Sequence, residues 1–581
     1  MNYVNKLEQF IDRYEIIKKL FYSTEEIINE IIFNRLSSND KVAVWALGEH
    51  TTKLLEVLNT DKLNIVCFVD RAKGKDNLTL MGKKVIEPSV LQEYTPDAII
   101  ISSYSFRKEI REYISNSYPN CKIIDIYDEF DFGAPFYDNL IFMKMYAVTI
   151  PSMYNDLVNM GYSIKDDIKQ MILKILEEND LVYEINAEGS CFKPGLARED
   201  SSKIRVDFFL QSPQGWTSLE SVWKAFREDD RFEARIIQVP YINNRGKEFN
   251  DDIRNFLISR KLPFIPWYFY DIDAQNPAIV FFQNPYDGNR PPGFHADEVC
   301  RKTRVVYVPY GLEIGGGNTN YDRQFNLFLQ NNAWLICSRS SRNKNMYKKY
   351  CRRGDENVIV TGHPKLDAIY NLDKFAVDEQ MAGIVAGKKV FLWNPHFRID
   401  DFEEKWSTFN KFKDAILDIF EKREDAFLII RPHPILLENM KTASEEVIPG
   451  ITRFKNRISN MSNVYFDTAF DYRHSFVLSD ALLSDASSFL LEYLPTQNPI
   501  IYLRNNEGPG LNDDGDIVNY YYVADTKDDI EKHVDMLIRG QDPMKDTRLA
   551  KIEEYLYVVD GQAGKRIKEA VANKYLMETA D

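Results

Sequence analysis

Apolar residues recur at helical spacing over the first 40 residues and then give way to short apolar runs separated by helical stretches. The first segment predicts amphipathic N-terminal helices over residues 1–40. From residue 41 onward each apolar run has the length of a buried strand, and strands that alternate with helices are typical of a parallel α/β sheet. Four runs therefore predict a small Rossmann-like domain over residues 41–130: Val42–Trp45, Ile65–Val69, Ala98–Ile101 and Lys122–Asp125.

The rest of the chain repeats this alternation twice. Residues 131–200 predict a helical connector, residues 201–350 one Rossmann-type domain and residues 351–540 another, whose first strand is 358–360. Residues 541–581 predict C-terminal helices. Two α/β domains in tandem, with turn residues at the carboxyl ends of their strands, place a cleft between them. The predicted fold class is α/β, with a pair of facing Rossmann-type domains preceded by an additional N-terminal one.

The composition is typical of a folded protein with a negative net charge. Its 581 residues include 73 Lys and Arg against 88 Asp and Glu, a formal net charge of −15. An acidic balance disfavours a nucleic-acid partner. The six cysteines are spread singly, which does not indicate a disulfide framework or a zinc site and is typical of a reducing compartment. No apolar run approaches the ~20 residues that span a bilayer, so the sequence predicts a cytoplasmic protein.

The segment 46–52 follows a strand and opens a helix, as a dinucleotide fingerprint would, and Asp70 ends the next strand where a ribose-binding acid would lie. Two of the three glycine positions of such a fingerprint are not glycine. The stretch 42–101 resembles the Rossmann-like modules attached to sugar-modifying acyltransferases and methyltransferases. Two interpretations stay open here: a structural or assembly module, and a nucleotide or sugar-nucleotide site.

The middle domain offers two loops at the ends of predicted strands. One carries Gly215 and Trp216, and the other carries Gly311, Gly315 and Gly316. Glycine allows a backbone to approach a ligand closely, although a glycine run also makes a mobile loop. We predict that these five residues lie on the acceptor side of the cleft.

The third domain carries a strand-to-helix turn with hydroxyls at its start. Ser487 and Ser488 fall where a helix N-terminus presents unpaired N–H groups and a positive dipole end, which is an anion site in physical terms. Glu492 lies four residues after Ser488, on the same helical face, where its carboxylate could hold ribose hydroxyls. The alternative is that the serines only cap the helix and that Glu492 is solvated.

Three of the seven histidines stand beside proline at predicted strand ends, and two arginines accompany them. Imidazole can deprotonate an acceptor hydroxyl or, when protonated, neutralise a transferring phosphate. The pattern predicts a cationic collar around a phosphate, formed by His363, His396, Arg398, Arg431 and His433.

These residues lie in four segments, 360–367, 392–398, 430–434 and 483–492, which together resemble the CDP-glycerol glycerophosphotransferases of teichoic-acid and capsule synthesis. The resemblance covers about residues 200–540. It implies the GT-B fold and a metal-independent transferase without a cofactor. The implied substrates are CDP-glycerol or another nucleotide-activated donor and a glycan or polyol-phosphate acceptor, with a lipid-linked acceptor as one option.

Carried onto this chain, the resemblance implies that Ser487 and Ser488 hold the donor pyrophosphate, that Glu492 contacts the ribose, and that His433 acts at the phosphoryl group. A catalytic role is also assigned to His363. The further donor-side residues of the matching segments are Asp485, Arg431, Asn394, His396 and Arg398.

One departure leaves alternatives open. Where the family has a His-Gly pair thought to supply the base, this chain has Tyr310-Gly311, and a tyrosine with an ordinary pKa near ~10 is a poor base. We place Tyr310 in the catalytic set. A nucleotide-sugar-dependent GT-B glycosyltransferase and a non-catalytic nucleotide-binding subunit of a polymer assembly complex remain as alternative functions.

The basic stretch 339–353 interleaves Lys and Arg with two tyrosines. Its functional interpretation is contact with an anionic polymer or a lipid-linked acceptor at the inner face of the membrane. The plain alternative is a solvated helix face between domains. An acidic cluster at 513–516 is interpreted as a loop, and no metal site is predicted.

Overall fold

The computed structural model describes residues 3–71, 78–104, 106–128, 130, 135–179, 203–243, 248–375, 377, 379–397, 405–441, 448–469 and 471–579. The chain divides into two compact units. The first unit comprises Met1–Pro194, Tyr241–Asn250 and Gly288–Gly293, and the second comprises Gly195–Pro240, Asp251–Asp287 and Phe294–Asp581.

The first unit is built on a six-stranded sheet in the order β3-β4-β2-β1-β5-β6, parallel except for the β3–β4 pair. The four predicted apolar runs form β1, β2, β5 and β6. Their residues are buried on both faces, as a parallel sheet covered by helices requires. The strands are β1 (Lys41–Trp45), β2 (Asn64–Val69), β3 (Thr79–Leu80), β4 (Lys83–Ile86), β5 (Ala98–Ile101) and β6 (Lys122–Ile124).

Helices complete this unit. A long N-terminal helix packs against α4, which lies in the segment predicted as a helical connector. The long helix contains one residue with non-helical backbone angles, Ser23, with φ −140°. The helices are α1 (Tyr3–Phe33), α2 (Glu49–Val57), α3 (Arg107–Ser117), α4 (Asn139–Asn159) and α5 (Asp166–Glu178).

The second unit contains two parallel sheets. The first has seven strands in the order β11-β8-β7-β12-β13-β14-β15. The strands of this part of the chain are β7 (Ile204–Leu210), β8 (Phe232–Gln238), β9 (Tyr241–Asn243), β10 (Glu248–Asn250), β11 (Ile265–Pro266), β12 (Ile279–Phe282), β13 (Arg304–Tyr307), β14 (Leu335–Ser338) and β15 (Val358–Val360). Of these, β9 and β10 pair as an antiparallel hairpin that belongs to the first unit.

Helices alternate with the strands of the seven-stranded sheet, as the sequence predicts. They are α6 (Glu220–Arg227), α7 (Asp252–Ser259), α8 (Ile272–Gln275), α9 (Ala296–Cys300), α10 (Asn318–Phe325), α11 (Phe328–Asn332) and α12 (Ser341–Tyr350).

One predicted strand belongs to a different sheet from the one expected. Residues 358–360 pair in parallel with β14, with Ile336 opposite Val358, so β15 is the edge strand of the seven-stranded sheet. The periodicity of a three-residue run shows that it is a strand but carries no information about its neighbour. The chain therefore leaves this sheet after residue 360 rather than at residue 351.

The second sheet of this unit has six parallel strands in the order β18-β17-β16-β19-β20-β21. Its core is aliphatic and aromatic, with Phe391, Ile416, Leu428 and Leu483 fully buried. The strands are β16 (Lys389–Asn394), β17 (Ala426–Ile430), β18 (Val464–Phe466), β19 (Ala481–Ser484), β20 (Ile500–Leu503) and β21 (Tyr522–Ala524). Two parallel α/β sheets in tandem confirm the predicted fold class.

Two of the helices that follow β15, α13 and α16, each start with a His-Pro pair, the first after β15 of the seven-stranded sheet and the second after β17 of the six-stranded sheet. The helices are α13 (Pro364–Tyr370), α14 (Glu379–Val385), α15 (Phe409–Glu421), α16 (Pro434–Lys441), α17 (Ile448–Ser459), α18 (Arg473–Leu478), α19 (Phe489–Glu492), α20 (Lys527–Ile538), α21 (Lys545–Leu549), α22 (Ile552–Leu556) and α23 (Ala563–Thr579).

The last helix returns to the seven-stranded sheet. Helix α23 packs on α6, and Gly564 permits the close approach, because a Cβ at Gly564 would lie 2.4 Å from the backbone carbon of Ser221. At the far end of α23, Glu578 accepts hydrogen bonds from Trp334 at 3.0 Å and from Arg304 at 3.1 Å. The C-terminal segment thus ties the second sheet back to the first.

Candidate functional site

The carboxyl ends of β16, β17 and β19 lie side by side in the six-stranded sheet and bring three predicted donor-side residues together. The amide nitrogen of Asn394 donates to the carbonyl of Arg431 at 2.8 Å. The Asn394 oxygen accepts from the Ser487 hydroxyl at 2.5 Å. Ligands of open parallel sheets bind at this edge, so the predicted donor residues occupy a plausible location.

Asp485 is fully buried and supports a loop. Its carboxylate accepts hydrogen bonds from the backbone N–H of His396 at 2.8 Å, and from the N–H and hydroxyl of Thr408 at 2.7 and 3.0 Å. Burial raises the pKa of Asp485 to about 7, and these hydrogen bonds oppose the rise. The predicted donor contact of Asp485 is therefore revised: both oxygens position the loop that carries His396.

The helix predicted after Ser488 is a single turn. Helix α19 spans only Phe489–Glu492 and is followed by a 3₁₀ turn at Leu494–Thr496. Ser488 makes no side-chain cap. A single turn carries little of the macrodipole of a full helix, so the expected dipole contribution to an anion site is not supported. The serines remain at the sheet edge as hydroxyl donors.

Glu492 is fully buried rather than solvated. One carboxylate oxygen accepts from the ammonium of Lys365 at 3.1 Å, and the other oxygen has no partner of normal geometry. Tyr472 lies close by, with its hydroxyl likewise without a partner of normal geometry, and burial followed by the Glu492 charge raises the Tyr472 pKa. The Lys365 ammonium lies 5.6 Å from the Tyr472 ring centre. The Tyr472 hydroxyl and this Glu492 oxygen thus interact with each other, but outside normal hydrogen-bond geometry.

Sequence reasoning missed Lys365 and Tyr472 as site residues. A lysine on a helix is ordinarily a solvated residue, whereas Lys365 is only 9 % exposed. The one sequence feature that pointed to Lys365 as a site residue was its position directly after the His363-Pro364 pair. It lies on α13, whose Leu366 and Ile369 pack in a core shared with strands of the six-stranded sheet, and its partner Glu492 ends the turn after β19 of that sheet. The ion pair therefore lies beside that core.

His363 and His433 occupy equivalent turns at the starts of α13 and α16. In each turn Nδ1 accepts a hydrogen bond, at 3.2 Å, from the backbone N–H two residues later, which is that of Lys365 or of Ile435. An N–H group can only donate, so the neutral ring carries its proton on Nε2. Burial, and secondly the charge of Lys365, lower the pKa to about 3 for His363 and to about 4 for His433.

The two rings differ at Nε2. His363 is 2 % exposed and lies 2.7 Å from the carbonyl of Pro309, to which its Nε2–H donates. Both nitrogens of His363 are thus engaged with backbone groups, and we revise its predicted catalytic role to a structural one. His433 is partly exposed, and among the described residues no group pairs with its Nε2.

The predicted collar holds less free positive charge than expected. Arg431 is bound to the buried carboxylate of Asp467, and its other terminal nitrogen donates to the carbonyl of Ala469 at 2.7 Å. Its charge is therefore neutralised within the protein. His396 stacks on Phe397 with ring centres 4.2 Å apart, and Phe397 lies 4.9 Å from the ring of His433. Arg398 lies outside the described residues.

Tyr310 does not have the properties of a base. Although 37 % of the Tyr310 surface is exposed, desolvation of its hydroxyl, and secondly the neighbouring Tyr286, raise its pKa well above the usual value, so the phenol stays protonated at neutral pH. Its carbonyl accepts from the hydroxyl of Ser218 at 3.0 Å. The nearby Glu313 carboxyl also has a raised pKa because of burial. Tyr310 is suited to donate a hydrogen bond rather than to remove a proton.

The predicted acceptor-side glycines serve backbone contacts of the protein. Gly315 pairs with Leu511 in an isolated antiparallel bridge, and the N–H of Gly316 donates to the carbonyl of Gly510 at 2.9 Å. A Cβ at Gly316 would lie 2.6 Å from the Leu511 carbonyl oxygen. We predicted that the backbone at these glycines approaches a ligand closely. It instead approaches the loop at Gly510 and Leu511, which follows a strand of the other sheet. Gly311 has open space at its Cα.

The loop with Gly215 and Trp216 is packed inward. A Cβ at Gly215 would lie 1.9 Å from the Gln283 side chain. Trp216 is 6 % exposed, and its ring lies 5.6 Å from that of Trp223. Its predicted acceptor contact is therefore not supported, because the indole is part of the core.

The basic stretch 339–353 is paired with the acidic loop 513–516. The buried Arg339 binds Asp514. Arg342 contacts Asp514 at 3.0 Å and two further carboxylates, and Lys349 contacts Asp513 at 3.0 Å. These cations connect the two sheets of the second unit, so the predicted contact of this stretch with a membrane or an anionic polymer is not supported.

In the first unit, the fingerprint loop satisfies its own polar groups. The Thr51 hydroxyl donates to the Ala46 carbonyl at 2.9 Å and lies 2.9 Å from the hydroxyl of Ser102. The N–H of Gly48 donates to Thr51, and Glu49 places a carboxylate in the first turn of α2. This arrangement favours the structural interpretation of the fingerprint over a pyrophosphate site.

Metal-binding clusters and membrane-spanning helices were also sought among the described residues. Within the described ranges, no group of three or more His, Cys, Asp or Glu side chains is arranged to hold a metal ion. No described helix combines the length and apolarity needed to cross a membrane.

Two family models match the chain. Residues 311–573 match CDP-Glycerol:Poly(glycerophosphate) glycerophosphotransferase, and residues 38–124 match C2185-like, N-terminal. Teichoic acid ribitol-phosphate polymerase TarK of Staphylococcus aureus is 27 % identical over 158 residues, 26 % of this chain and 27 % of its own length. Teichoic acid poly(glycerol phosphate) polymerase of Staphylococcus epidermidis is 24 % identical over 194 residues, 33 % of this chain and 24 % of its own length. The chain thus spans about a quarter of these relatives' length.

Solved structures are similar at lower identity. A putative UDP-N-acetylglucosamine 2-epimerase from Listeria monocytogenes is 16 % identical, with a TM-score of 0.47 over 64 % of this chain and 97 % of the epimerase. The wall teichoic acid polymerase TagF is 14 % identical, with a TM-score of 0.43 over 74 % of this chain and 99 % of TagF.

Proposed function

Because residues 311–573 match the CDP-Glycerol:Poly(glycerophosphate) glycerophosphotransferase family model, we propose that the chain transfers a polyol phosphate from a CDP-activated donor to a hydroxyl of a surface-polymer acceptor. The relatives' names point to glycerol phosphate and ribitol phosphate as the candidate groups.

The observation that carries this proposal is the buried Glu492, with one oxygen held by Lys365 and the other facing the Tyr472 hydroxyl without a hydrogen bond of normal geometry. An ionised carboxylate only accepts hydrogen bonds, and the neighbouring Tyr472 hydroxyl can donate one. A pair of adjacent ligand hydroxyls, such as those of a ribose, satisfies both groups. The hydroxyls of Ser487 and Ser488 lie in the preceding turn, where they can bind the diphosphate.

In the proposed reaction, an acceptor hydroxyl oxygen forms a bond to the β-phosphorus, and the bond between that phosphorus and the bridging oxygen breaks to release CMP. The hydroxyl proton is released to water, and CMP leaves as the anion. Phosphoryl transfer depends mainly on positioning and on charge stabilisation. Lys365 supplies a buried cation near His433, and the serine hydroxyls and the His433 ring supply uncharged donors.

A lipid-linked acceptor, capsule or teichoic-acid synthesis and a cytoplasmic location at the membrane also belong to this proposal. The stretch 339–353 does not support the membrane contact, because carboxylates of the chain neutralise Arg339, Arg342 and Lys349.

The test incubates the purified chain and a glycerol phosphate oligomer with CDP-glycerol, CDP-ribitol and a panel of UDP- and GDP-sugars. We expect CMP release from a CDP-polyol. Release of a nucleoside diphosphate from a sugar donor, without CMP, would instead identify a glycosyltransferase.

In Glu492→Gln the loss of a charged hydrogen bond should lower kcat/KM about 10- to 100-fold. The exposed Glu553→Gln is the matched control and should retain wild-type kinetics.

A further inference from the structure

Lys365 is a buried cation that contacts several groups of the candidate donor site. Its backbone N–H donates to His363, and its ammonium donates to Glu492 at 3.1 Å and lies over the Tyr472 ring. This one residue thus connects the His363 turn with Glu492 and Tyr472.

We propose that Lys365 is a positioning residue of the donor site, which fixes the Glu492 carboxylate, and that His433 presents its Nε2–H as a hydrogen-bond donor to an anionic oxygen of the ligand. The identity of that oxygen as a phosphate oxygen rests on the proposed function. The proposal itself rests on the ion pair and on the geometry of the two His-Pro turns.

The twin turns show why the state of His433 is defined. In both turns the same N–H to Nδ1 hydrogen bond places the ring proton on Nε2. In the His363 turn that proton is given to the Pro309 carbonyl, which fixes the ring inside the protein. In the His433 turn no described group takes it. A ring whose free nitrogen already carries a proton donates to a ligand and cannot accept the acceptor's proton there.

The groups that face His433 agree with an uncharged ring. Lys365 approaches from α13 and opposes a second positive charge, while Phe397 covers the ring with a centre distance of 4.9 Å. His396 lies beyond Phe397, and Arg431, two residues before His433, is neutralised by Asp467. Glu492 is the nearby anion, and its facing oxygen is held by Lys365. The positive charge of the site therefore lies on the lysine.

The first experiment measures the ring directly. The full chain is labelled with ¹⁵N-histidine, and the His433 signals are assigned by their absence in His433→Gln. We expect a neutral Nε2–H tautomer that does not titrate between pH 5.5 and 8, and a shift of the Nε2–H signal on addition of CDP. A ring that titrates near its usual pKa, an Nδ1–H tautomer or an unchanged signal with CDP would overturn the proposal.

The second experiment removes the cation. In Lys365→Met the His433 pKa should rise above about 4 but stay below its usual value, because burial remains, and CDP affinity measured by calorimetry should fall about 10- to 100-fold. Lys365→Arg keeps the charge and should restore both. Lys374→Met, on an exposed lysine of the same region, is the matched control and should change neither. Should Lys365→Met fold poorly, Lys365→Met/Glu492→Gln removes the uncompensated carboxylate and gives the same two readouts.

These readouts separate the proposal from the proposed function. If CDP-glycerol is not turned over but Lys365→Met weakens CDP binding and shifts His433, the positioning role stands and the transferase assignment fails. If turnover occurs and Lys365→Met alters neither readout, the positioning role fails alone. If CDP does not bind the wild-type chain, both fail.

Discussion

At the scale of single residues, the same short motif serves two purposes. His-Pro at the start of α13 places a ring that bonds to backbone at both nitrogens, whereas His-Pro at the start of α16 leaves Nε2 available. The difference comes from what lies opposite. The carbonyl of Pro309, at the end of β13, reaches His363, and nothing comparable reaches His433 among the described residues. The role of each histidine therefore depends on whether a group of the protein accepts a hydrogen bond from its Nε2–H.

The buried His363 predicts a pH dependence of stability. Its folded-state pKa is lowered to about 3 from an unfolded value near 6.5. Between these values the unfolded chain binds more protons, so stability is fully present above about pH 6.5 and is lost as the pH falls toward 3. Thermal unfolding midpoints should fall from pH 7 to pH 5, and less steeply in His363→Gln. His533→Gln, at a site remote from the His-Pro turns, is the control, and equal slopes in all three proteins would contradict the prediction.

Sequence could identify the candidate residues but not their partners. The turn that carries Ser487 and Ser488 was recognisable because small hydroxyl residues follow a buried strand. The burial of Glu492 was not recognisable from the sequence, because its partner Lys365 lies 127 positions away and belongs to another helix. For the same reason Arg431 looked like a free cation, since Asp467 is 36 positions downstream.

At the scale of elements, strand periodicity located most of the parallel sheets but not their edges. The central strands β7, β12 and β16 are long buried runs that a local pattern detects. The two-residue β11, the short β21 and the placement of β15 depend on hydrogen bonding to a neighbour that a local pattern does not contain. Short edge strands carry little side-chain signal of their own.

The contact between α23 and α6 yields a prediction for one glycine. In Gly564→Ala the new Cβ would meet the backbone of Ser221 at 2.4 Å, so one helix must move away. Overpacking of this kind costs about 1–3 kcal/mol, and we expect a lower thermal unfolding midpoint. Gly383→Ala on α14 is the control, since its Cβ meets nothing within 4 Å. An unchanged midpoint in Gly564→Ala would show that the helix packing is looser than described.

At the scale of the whole molecule, a group of ion pairs connects the two sheets of the second unit. The net charge of −15 does not indicate this, because Arg339, Arg342 and Lys349 pair with acids of residues 513–516. Arg339 and Asp514 are both buried, and the backbone bridge between Gly315 and Leu511 also joins the two segments.

Breaking this pairing should loosen the second unit. In Arg339→Met the buried Asp514 loses a partner, and removal of one member of a buried ion pair costs about 3–5 kcal/mol. We expect a lower unfolding midpoint and a larger radius of gyration by small-angle scattering. Arg352→Met, from the same basic stretch, should change neither. Equal values for Arg339→Met and wild type would show that the sheets are held by other contacts.

The return of α23 to the seven-stranded sheet has a consequence for synthesis of the chain. Helix α6, near residue 220, is covered by residues 563–579, so the ribosome must translate some 340 further residues before that face can be closed. Until then the side of α6 that carries Ser221 has no helix against it, whereas Phe226 already packs on Phe208 and Phe281 of the sheet. The sheet-facing core of the middle domain can therefore form during translation, and the outer side of α6 is closed only after α23 has been made.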